Sequence, residues 1–119
     1  MGLLNALVRI EPTLKVIFGS VLDTSGTPTL GQLSGDPEDR ACVTITDTAA
    51  GVYDLAVTNF RGPRSLLFGI ATSRTISTMV SCTAKSYTAS TDTALFTFKV
   101  EDDASTATDS SFDFILAAC

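Results

Sequence analysis

Histidine and tryptophan are both absent from this chain of 119 residues. Without histidine, neither a Ser-His-Asp nor a Cys-His nucleophilic site can be built, and the commonest general base near neutral pH is missing. Without tryptophan, the chain lacks one of the two side chains on which carbohydrate-binding domains usually stack a sugar ring. The first absence excludes histidine-based catalysis, and the second weakens a sugar-binding role.

Basic residues and cysteines are also few. Lys and Arg together number 8, against 13 for Asp and Glu, which gives a formal net charge of -5 and a pI near 4.4. Nucleic-acid binding depends on clustered Lys and Arg, so we expect no nucleic-acid partner. The three cysteines, Cys42, Cys82 and Cys119, are odd in number and have no Cys-x-x-Cys spacing. Neither a disulfide framework nor a zinc site is therefore predicted.

The N-terminus is apolar but short. Its sequence, MGLLNALVRI, is interrupted by Asn5 and Arg9 and followed by Glu11. It is too short and too polar for a transmembrane helix, and it lacks the basic region and the small-residue cleavage site of a signal peptide. We therefore expect no membrane partner and synthesis in a cytoplasm that keeps thiols reduced. Residues 1–12 are predicted to form an N-terminal arm or a short helix.

Serine and threonine make up about a quarter of the chain, whereas Lys, Glu and Gln are scarce. β-branched threonine, valine and isoleucine fit pleated surfaces, so this composition favours an all-β domain. The clearest pattern lies in residues 41–60, ACVTITDTAAGVYDLAVTNF, where two alternating apolar runs flank a short polar turn. This period of two predicts a pair of half-buried antiparallel strands. The alternating apolar positions are Val43, Ile45, Tyr53, Leu55 and Val57.

Five further runs alternate in the same way, and glycine, proline and aspartate mark turns between them. About eight short strands are therefore predicted. They favour a single-domain antiparallel β-sandwich over residues 13–119, jelly-roll-like in its winding, rather than a closed barrel. The predicted apolar faces of the five runs carry Leu14, Val16 and Phe18; Leu66, Phe68 and Ile70; Ile76, Val80 and Cys82; Ala94, Phe96, Phe98 and Val100; and Phe112, Phe114 and Leu116.

Most aromatic side chains fall on these predicted apolar faces. We therefore expect six phenylalanines in the core and not on a surface that stacks ligands. Tyr53 alternates in phase with Leu55 and Val57, so we predict that its ring is buried and its hydroxyl lies at a rim. Tyr87 lies among serine and threonine and is predicted to be exposed. The six phenylalanines are Phe18, Phe68, Phe96, Phe98, Phe112 and Phe114.

Acidic residues offer two alternatives to a structural role. Paired carboxylates can hydrolyse glycosides, but the acid must lie in a partly apolar cleft, for which one small domain has little room. The acids of residues 35–39 and 101–103 could supply oxygen ligands to calcium, but neither cluster has the spacing of a calcium-binding loop. We therefore predict a non-enzymatic protein with no cofactor and no metal. The carboxylates considered for glycoside hydrolysis are Glu101, Asp102, Asp103, Asp109 and Asp113.

One loop has the composition of a protein interface. Residues 60–64 follow a predicted strand and place Phe60, Arg61 and Arg64 around a Gly-Pro turn. Arginine beside an aromatic residue is typical of interface hot spots, where a guanidinium can bind a carboxylate through two hydrogen bonds. An ordinary tight turn with solvated arginines explains the same residues equally well. The loop is therefore a hypothesis for an interface.

Two segments carry a resemblance to a known class of protein. They are V-T-I-x-D-T-x-x-G-V-Y-D-L-x-V-T-N-F-R-G-P-R, and F-T-F-K-V-x-D-D-x-x-x-A-T-D-S-S-F-D-F-I-L-A near the C-terminus. Residues 39–116 resemble the small β-sandwich structural proteins of tailed-phage virions, which include capsid decoration (cement) proteins and the head modules of fibres. Two features depart from that pattern: an apparent insertion over residues 24–40, and the terminal Cys119.

The resemblance implies a virion protein that is assembled in the host cytoplasm, forms a homotrimer and binds the major capsid protein or another virion protein. Capsid decoration is the first expectation. A fibre-tip or receptor-binding module is the alternative, and a non-viral adhesion or carbohydrate-binding sandwich is the second alternative. The apolar arm then gains a role between subunits, because it is more hydrophobic than a free terminus should be. Its candidate interface residues are Leu3, Leu4, Leu7, Val8 and Ile10.

Overall fold

The fold is taken from a computed structural model, which describes residues 15–24, 26–34, 42–58 and 66–118. Within these ranges the chain forms eight β-strands and no helix, and hence no helix able to cross a membrane. The strands are β1 (Lys15–Thr24), β2 (Thr27–Ser34), β3 (Val43–Ala49), β4 (Val52–Thr58), β5 (Leu67–Ser73), β6 (Thr78–Thr88), β7 (Thr93–Asp102) and β8 (Phe112–Ala118).

The strands form two four-stranded antiparallel sheets, so the predicted β-sandwich is confirmed. Sheet I has the strand order β2-β1-β8-β5, and sheet II has the order β3-β4-β7-β6. Three connections are hairpins within one sheet, β1–β2, β3–β4 and β6–β7, and the other four cross between the sheets. β5 packs beside β6 along one side of the sandwich, and β2 lies beside β3 along the other.

The core lies between the sheets and consists of alternate residues from facing strands. The predicted apolar faces of β3, β4, β7 and β8 are confirmed, although Ile45 is only half-buried. Phe112 of sheet I packs against Tyr53 and Phe98 of sheet II, with ring centroids 5.4 and 5.5 Å apart. These contacts join the central strands of the two sheets. The fully buried large side chains include Tyr53, Leu55, Val57, Phe96, Phe98, Val100, Phe112 and Leu116.

The predicted faces of β1 and β5 are wrong. Ile17 and Val21 of β1 are buried, whereas Val16 and Phe18 lie half-buried on the outer face of sheet I. On β5 the outward residues include Phe68 and Ile70, and Leu67, Gly69 and Ala71 face the core. Both strands are apolar on both faces, so alternation alone cannot select the inner one. Phe18 and Phe68 are therefore not core residues.

The apparent insertion over residues 24–40, to which the sequence assigned no role, contains β2, an edge strand where Pro28 is tolerated because one side of the strand needs no ladder partner. Two smaller predictions need correction. Tyr87 is half-buried and not exposed, because its ring packs against the core and its hydroxyl binds the carboxylate of Asp92. Ile76 is fully exposed, since it lies in the turn before β6.

Gly69 lets β5 approach the core closely. A Cβ at this position would lie 2.8 Å from Cys82 Sγ and 3.2 Å from ring atoms of both Phe96 and Phe98. We expect Gly69→Ala to lower the free energy of unfolding by about 1–3 kcal/mol, the usual cost of overpacking a core. Urea unfolding at an unchanged m-value would measure this loss.

The same substitution made in a Cys82→Ala background should cost less, because the nearest obstructing atom is then gone. An equal loss in both backgrounds would show that Gly69 matters for a reason other than this contact.

Candidate functional site

All eight interface residues predicted from the sequence lie outside the described residues. The structure therefore leaves both the arm and the loop as predictions. They are Leu3, Leu4, Leu7, Val8 and Ile10 in the arm, and Phe60, Arg61 and Arg64 in the loop.

Three aspartates converge at one end of the sandwich. Asp23 lies near the end of β1, Asp47 near the end of β3, and Asp109 in the connection between β7 and β8. One carboxylate oxygen from each lies within 4.8 Å of the others. Because these residues are far apart in the sequence, no local motif predicts the cluster. Only the folding of three separate connections brings them together.

The Tyr53 hydroxyl lies at the centre of this acidic end. It donates to Asp23 Oδ2 at 2.5 Å and lies 3.3 Å from Asp109 Oδ1, while the Ser110 backbone N–H donates to it at 3.2 Å. A hydroxyl has one proton, so the shorter contact to Asp23 carries the hydrogen bond. Tyr53 as a whole residue is 0% exposed. The prediction of a buried ring is thus confirmed, and the hydroxyl is buried with it among the side chains at this end of the sandwich.

The surroundings of Tyr53 favour its neutral form. Burial raises the pKa of the Tyr53 hydroxyl well above its ordinary value, and the hydrogen bond to the Asp23 carboxylate raises that pKa further. The backbone N–H of Ser110 opposes this effect, because a donor favours a phenolate. The hydroxyl therefore remains a hydrogen-bond donor at neutral pH.

The carboxylates also hold the backbone of neighbouring turns. Asp23 Oδ1 accepts the N–H of Gly26 at 2.9 Å, and Asp109 Oδ1 accepts the N–H of Gly51 at 2.7 Å. Gly51 has a φ of +68°, and a Cβ there would lie 2.6 Å from the Val100 carbonyl oxygen, so only glycine suits this turn. The acidic end therefore fixes the β1–β2 and β3–β4 turns to the β7–β8 connection.

Oxygen ligands of this kind suit a divalent cation such as calcium. However, both oxygens of Asp23 and one oxygen of Asp109 already accept hydrogen bonds. In the described part of the chain, no buried polar side-chain atom lacks a partner. We therefore assign the cluster a structural role. Asp102, in one of the two acidic clusters considered for calcium, accepts the backbone N–H groups of Ala104 and Thr106.

A second feature is an apolar outer face on sheet I. Its six residues form two rows across β1, β8 and β5, and we call them the apolar face. Phe68, Ile70 and Ile115 are 47, 59 and 43% exposed. The antiparallel register gives a first row of Val16, Ala117 and Phe68 and a second row of Phe18, Ile115 and Ile70.

The apolar face ends at a polar third row. Ser20 and Thr72 lie opposite Asp113 in this row, and Asp113 pairs with Arg74 at 2.8 Å. Across β1, β8 and β5, the two apolar rows are therefore followed by a polar one, although Leu22 lies further along β1 in the same phase. At the β5 edge, Lys85 Nζ lies 5.7 Å from the Phe68 ring centroid, a distance at which a cation interacts with an aromatic face.

The outer face of sheet II is mostly polar by contrast, although Met79 of β6 is 73% exposed there. Lys99 and Glu101 on β7 form an ion pair at 3.5 Å, and Thr97 donates to Asp54 at 2.7 Å. Antiparallel sandwiches commonly have such wet outer faces. The sequence does contain a signal for this difference between the two outer faces, since the runs L-L-F-G-I-A and F-I-L-A-A-C have no polar residue. Continuous apolar runs are typical of strands covered on both faces.

Tyr53→Phe tests the hydrogen bonds at the acidic end. We expect the free energy of unfolding to fall by about 1–3 kcal/mol, because Asp23 loses its phenolic donor. The raised pKa of Tyr53 adds a pH dependence. The Tyr53 hydroxyl makes its full contribution to the free energy of unfolding below pH about 10, the pKa of tyrosine in the unfolded chain. This contribution is lost as the pH rises above that value. Unfolding measured between pH 7 and pH 11 should therefore show a steeper alkaline loss in the wild type than in Tyr53→Phe.

Tyr87→Phe is the matched control, since it removes the other tyrosine of the chain. It should keep the steep alkaline loss. A profile that is equally steep in Tyr53→Phe would contradict the role given to the Tyr53 hydroxyl.

Asp47→Asn tests the repulsion among the carboxylates. The turns described above do not depend on the Asp47 side chain. Removing its charge should therefore only relieve repulsion from the other two carboxylates and raise the free energy of unfolding by about 0.5–1 kcal/mol. Asp23→Asn should lower it, because Asp23 accepts from both Tyr53 and Gly26. Thermal unfolding with calcium and with chelator completes the test. A cation site would instead give a calcium-dependent melting temperature that Asp47→Asn abolishes.

Comparison with protein-family models, with curated proteins and with solved structures found no match to this chain.

Proposed function

We propose that this chain is a non-enzymatic structural protein of a tailed-phage virion. In this proposal it is a capsid decoration protein that binds the shell as a homotrimer and stabilises it. The observation that carries the proposal is the apolar face on the outside of sheet I.

An apolar face of this kind favours a protein that works in an assembly. Soluble monomers rarely expose contiguous apolar patches larger than a few hundred Å², and such patches mark interaction surfaces. Phe68, Ile70 and Ile115 are each about half exposed. Covering their exposed halves would contribute about 1 kcal/mol each, since complete burial of such a side chain is worth about 1.5–3 kcal/mol. The mostly polar outer face of sheet II would then be the one that stays in contact with water.

The chemistry of the two surface features supports a structural role. The apolar face consists of aliphatic and aromatic side chains without a nucleophile, an acid or a base. The carboxylates of Asp23 and Asp109 hold backbone N–H groups and the Tyr53 hydroxyl. The carboxylates thus stabilise the fold, and the apolar face offers a surface for binding. Both roles are expected of a fixed part of a particle.

We infer the kind of particle, a tailed-phage virion, from the resemblance to β-sandwich proteins of such virions. The two segments that carry this resemblance contain β3 and β4, most of β7, and most of β8, so they carry the central strands of sheet II and one central strand of sheet I. We propose the major capsid protein as the partner and place the protein in the virion after assembly in the host cytoplasm. The loop with Phe60, Arg61 and Arg64 is the proposed contact with the coat.

Copy number in the particle tests this function. In virions of a phage that encodes this chain, quantitative mass spectrometry should find copies in proportion to the coat subunits. The coat protein serves as the high-copy reference and the portal protein as the low-copy reference. A few copies per particle would indicate the fibre-tip alternative instead, and absence from purified virions would rule out a virion protein.

A further inference from the structure

We propose that the apolar face of sheet I binds the N-terminal segment, residues 1–12, of a neighbouring copy of this chain. The inference deepens the proposed function, because it rests on the proposed homotrimer and names the contact that would hold it together. The observation that supports this inference is the position of the apolar rows beside the start of β1.

The apolar rows lie at the end of sheet I where the N-terminal segment joins it. β1 begins at Lys15, which pairs with Ala118 of β8, and Ala118 pairs with Leu67 of β5. The first row, with Val16, is one residue further along β1, and the second row, with Phe18, is three residues further. The third row is polar. The two apolar rows thus lie beside the attachment point, and the second one is about 10 Å along β1 from Lys15.

The composition of the segment matches this surface. Leu3, Leu4, Leu7, Val8 and Ile10 supply five large aliphatic side chains within ten residues. The two apolar rows contain no charged side chain. An apolar segment and an apolar face are each unfavourable when they are exposed to water, and contact between them would remove both from solvent.

The length of the segment is sufficient. Twelve extended residues reach about 40 Å, whereas the distance across β1, β8 and β5 is about 10 Å. β1 runs from Lys15 toward Thr24, so the apolar rows lie downstream of the attachment point. To cover them in the same copy, the chain would have to reverse direction between the segment and Lys15. A neighbouring copy has no such constraint, and donation from each copy to the next can close a ring of three.

The test compares the full chain with three variants by sedimentation. One lacks residues 2–10, and one carries Ile70→Thr with Ile115→Thr, which keeps β-branched side chains but makes the face polar. The third, Ile76→Thr, is the matched control: the same change at a fully exposed isoleucine in the turn before β6. We expect a trimer for the full chain and for Ile76→Thr, and folded monomers for the other two. Circular dichroism verifies the fold.

A synthetic peptide of residues 1–12 provides a second readout. Labelled with a fluorophore, it should bind the variant that lacks residues 2–10, with anisotropy reporting the affinity. Adding Ile70→Thr and Ile115→Thr to that variant should weaken binding at least 10-fold, while adding Ile76→Thr should leave it unchanged. Loss of fold in the double substitution would leave the deletion and the peptide as the deciding measurements.

Several outcomes would overturn the inference. An oligomer that survives the deletion would mean that the apolar faces meet each other or that another surface assembles the chain. A monomeric full chain would exclude exchange between copies, as would failure of the peptide to bind. These results are separable from the proposed function. High copy number in virions with a deletion-resistant oligomer refutes only the inference, whereas absence from virions with a deletion-sensitive trimer refutes only the virion role.

Discussion

The hydrogen bond from the buried Tyr53 hydroxyl to Asp23 is the contact on which the two sheets depend at one end. Tyr53 belongs to β4 of sheet II, whereas Asp23 belongs to β1 of sheet I. The ring of Tyr53 packs edge-on against Phe112 of sheet I, and its hydroxyl also accepts the Ser110 N–H. One residue therefore combines apolar packing between the sheets with a polar clamp on three connections. An inter-sheet contact of this kind fixes the relative position of layers that hydrophobic packing alone leaves free to slide.

The two ends of the sandwich differ in chemistry. The acidic end uses its carboxylates and turn glycines to hold connections together. At the opposite end of sheet I, the apolar rows around Ala117 and Ile115 have no comparable polar network. The Arg74–Asp113 pair lies in the polar row between these regions. Surface available for assembly is thus concentrated at the end where the N-terminal segment joins β1.

How far the sequence predicts the structure depends on whether a strand has one wet face. β7 alternates phenylalanine with threonine and lysine, so only one face can be buried, and its prediction is confirmed. β5, L-F-G-I-A-T-S, offers an apolar residue in either phase. In the structure Gly69 faces the core, where a Cβ would lie 2.8 Å from Cys82 Sγ and 3.2 Å from ring atoms of Phe96 and Phe98, and the larger Phe68 and Ile70 face outward. That contact spans two sheets and has no local sequence signal. The acidic end is invisible for the same reason, since Asp23 and Asp109 meet only after the sheets have packed.

The wrong prediction for β5 and the proposed function have a common physical cause. A strand whose phase is ambiguous is apolar on both faces, and such strands are typical of sheets that are covered on both faces. In β8, Phe112, Phe114 and Leu116 are covered by sheet II, whereas Ile115 faces outward with 43% of its surface exposed. Under the proposal made above, sheet I would be the middle layer of three, with sheet II on one side and the N-terminal segment of a neighbouring copy on the other. The strand whose phase alternation failed to predict, β5, carries Phe68 and Ile70 of the exposed apolar face.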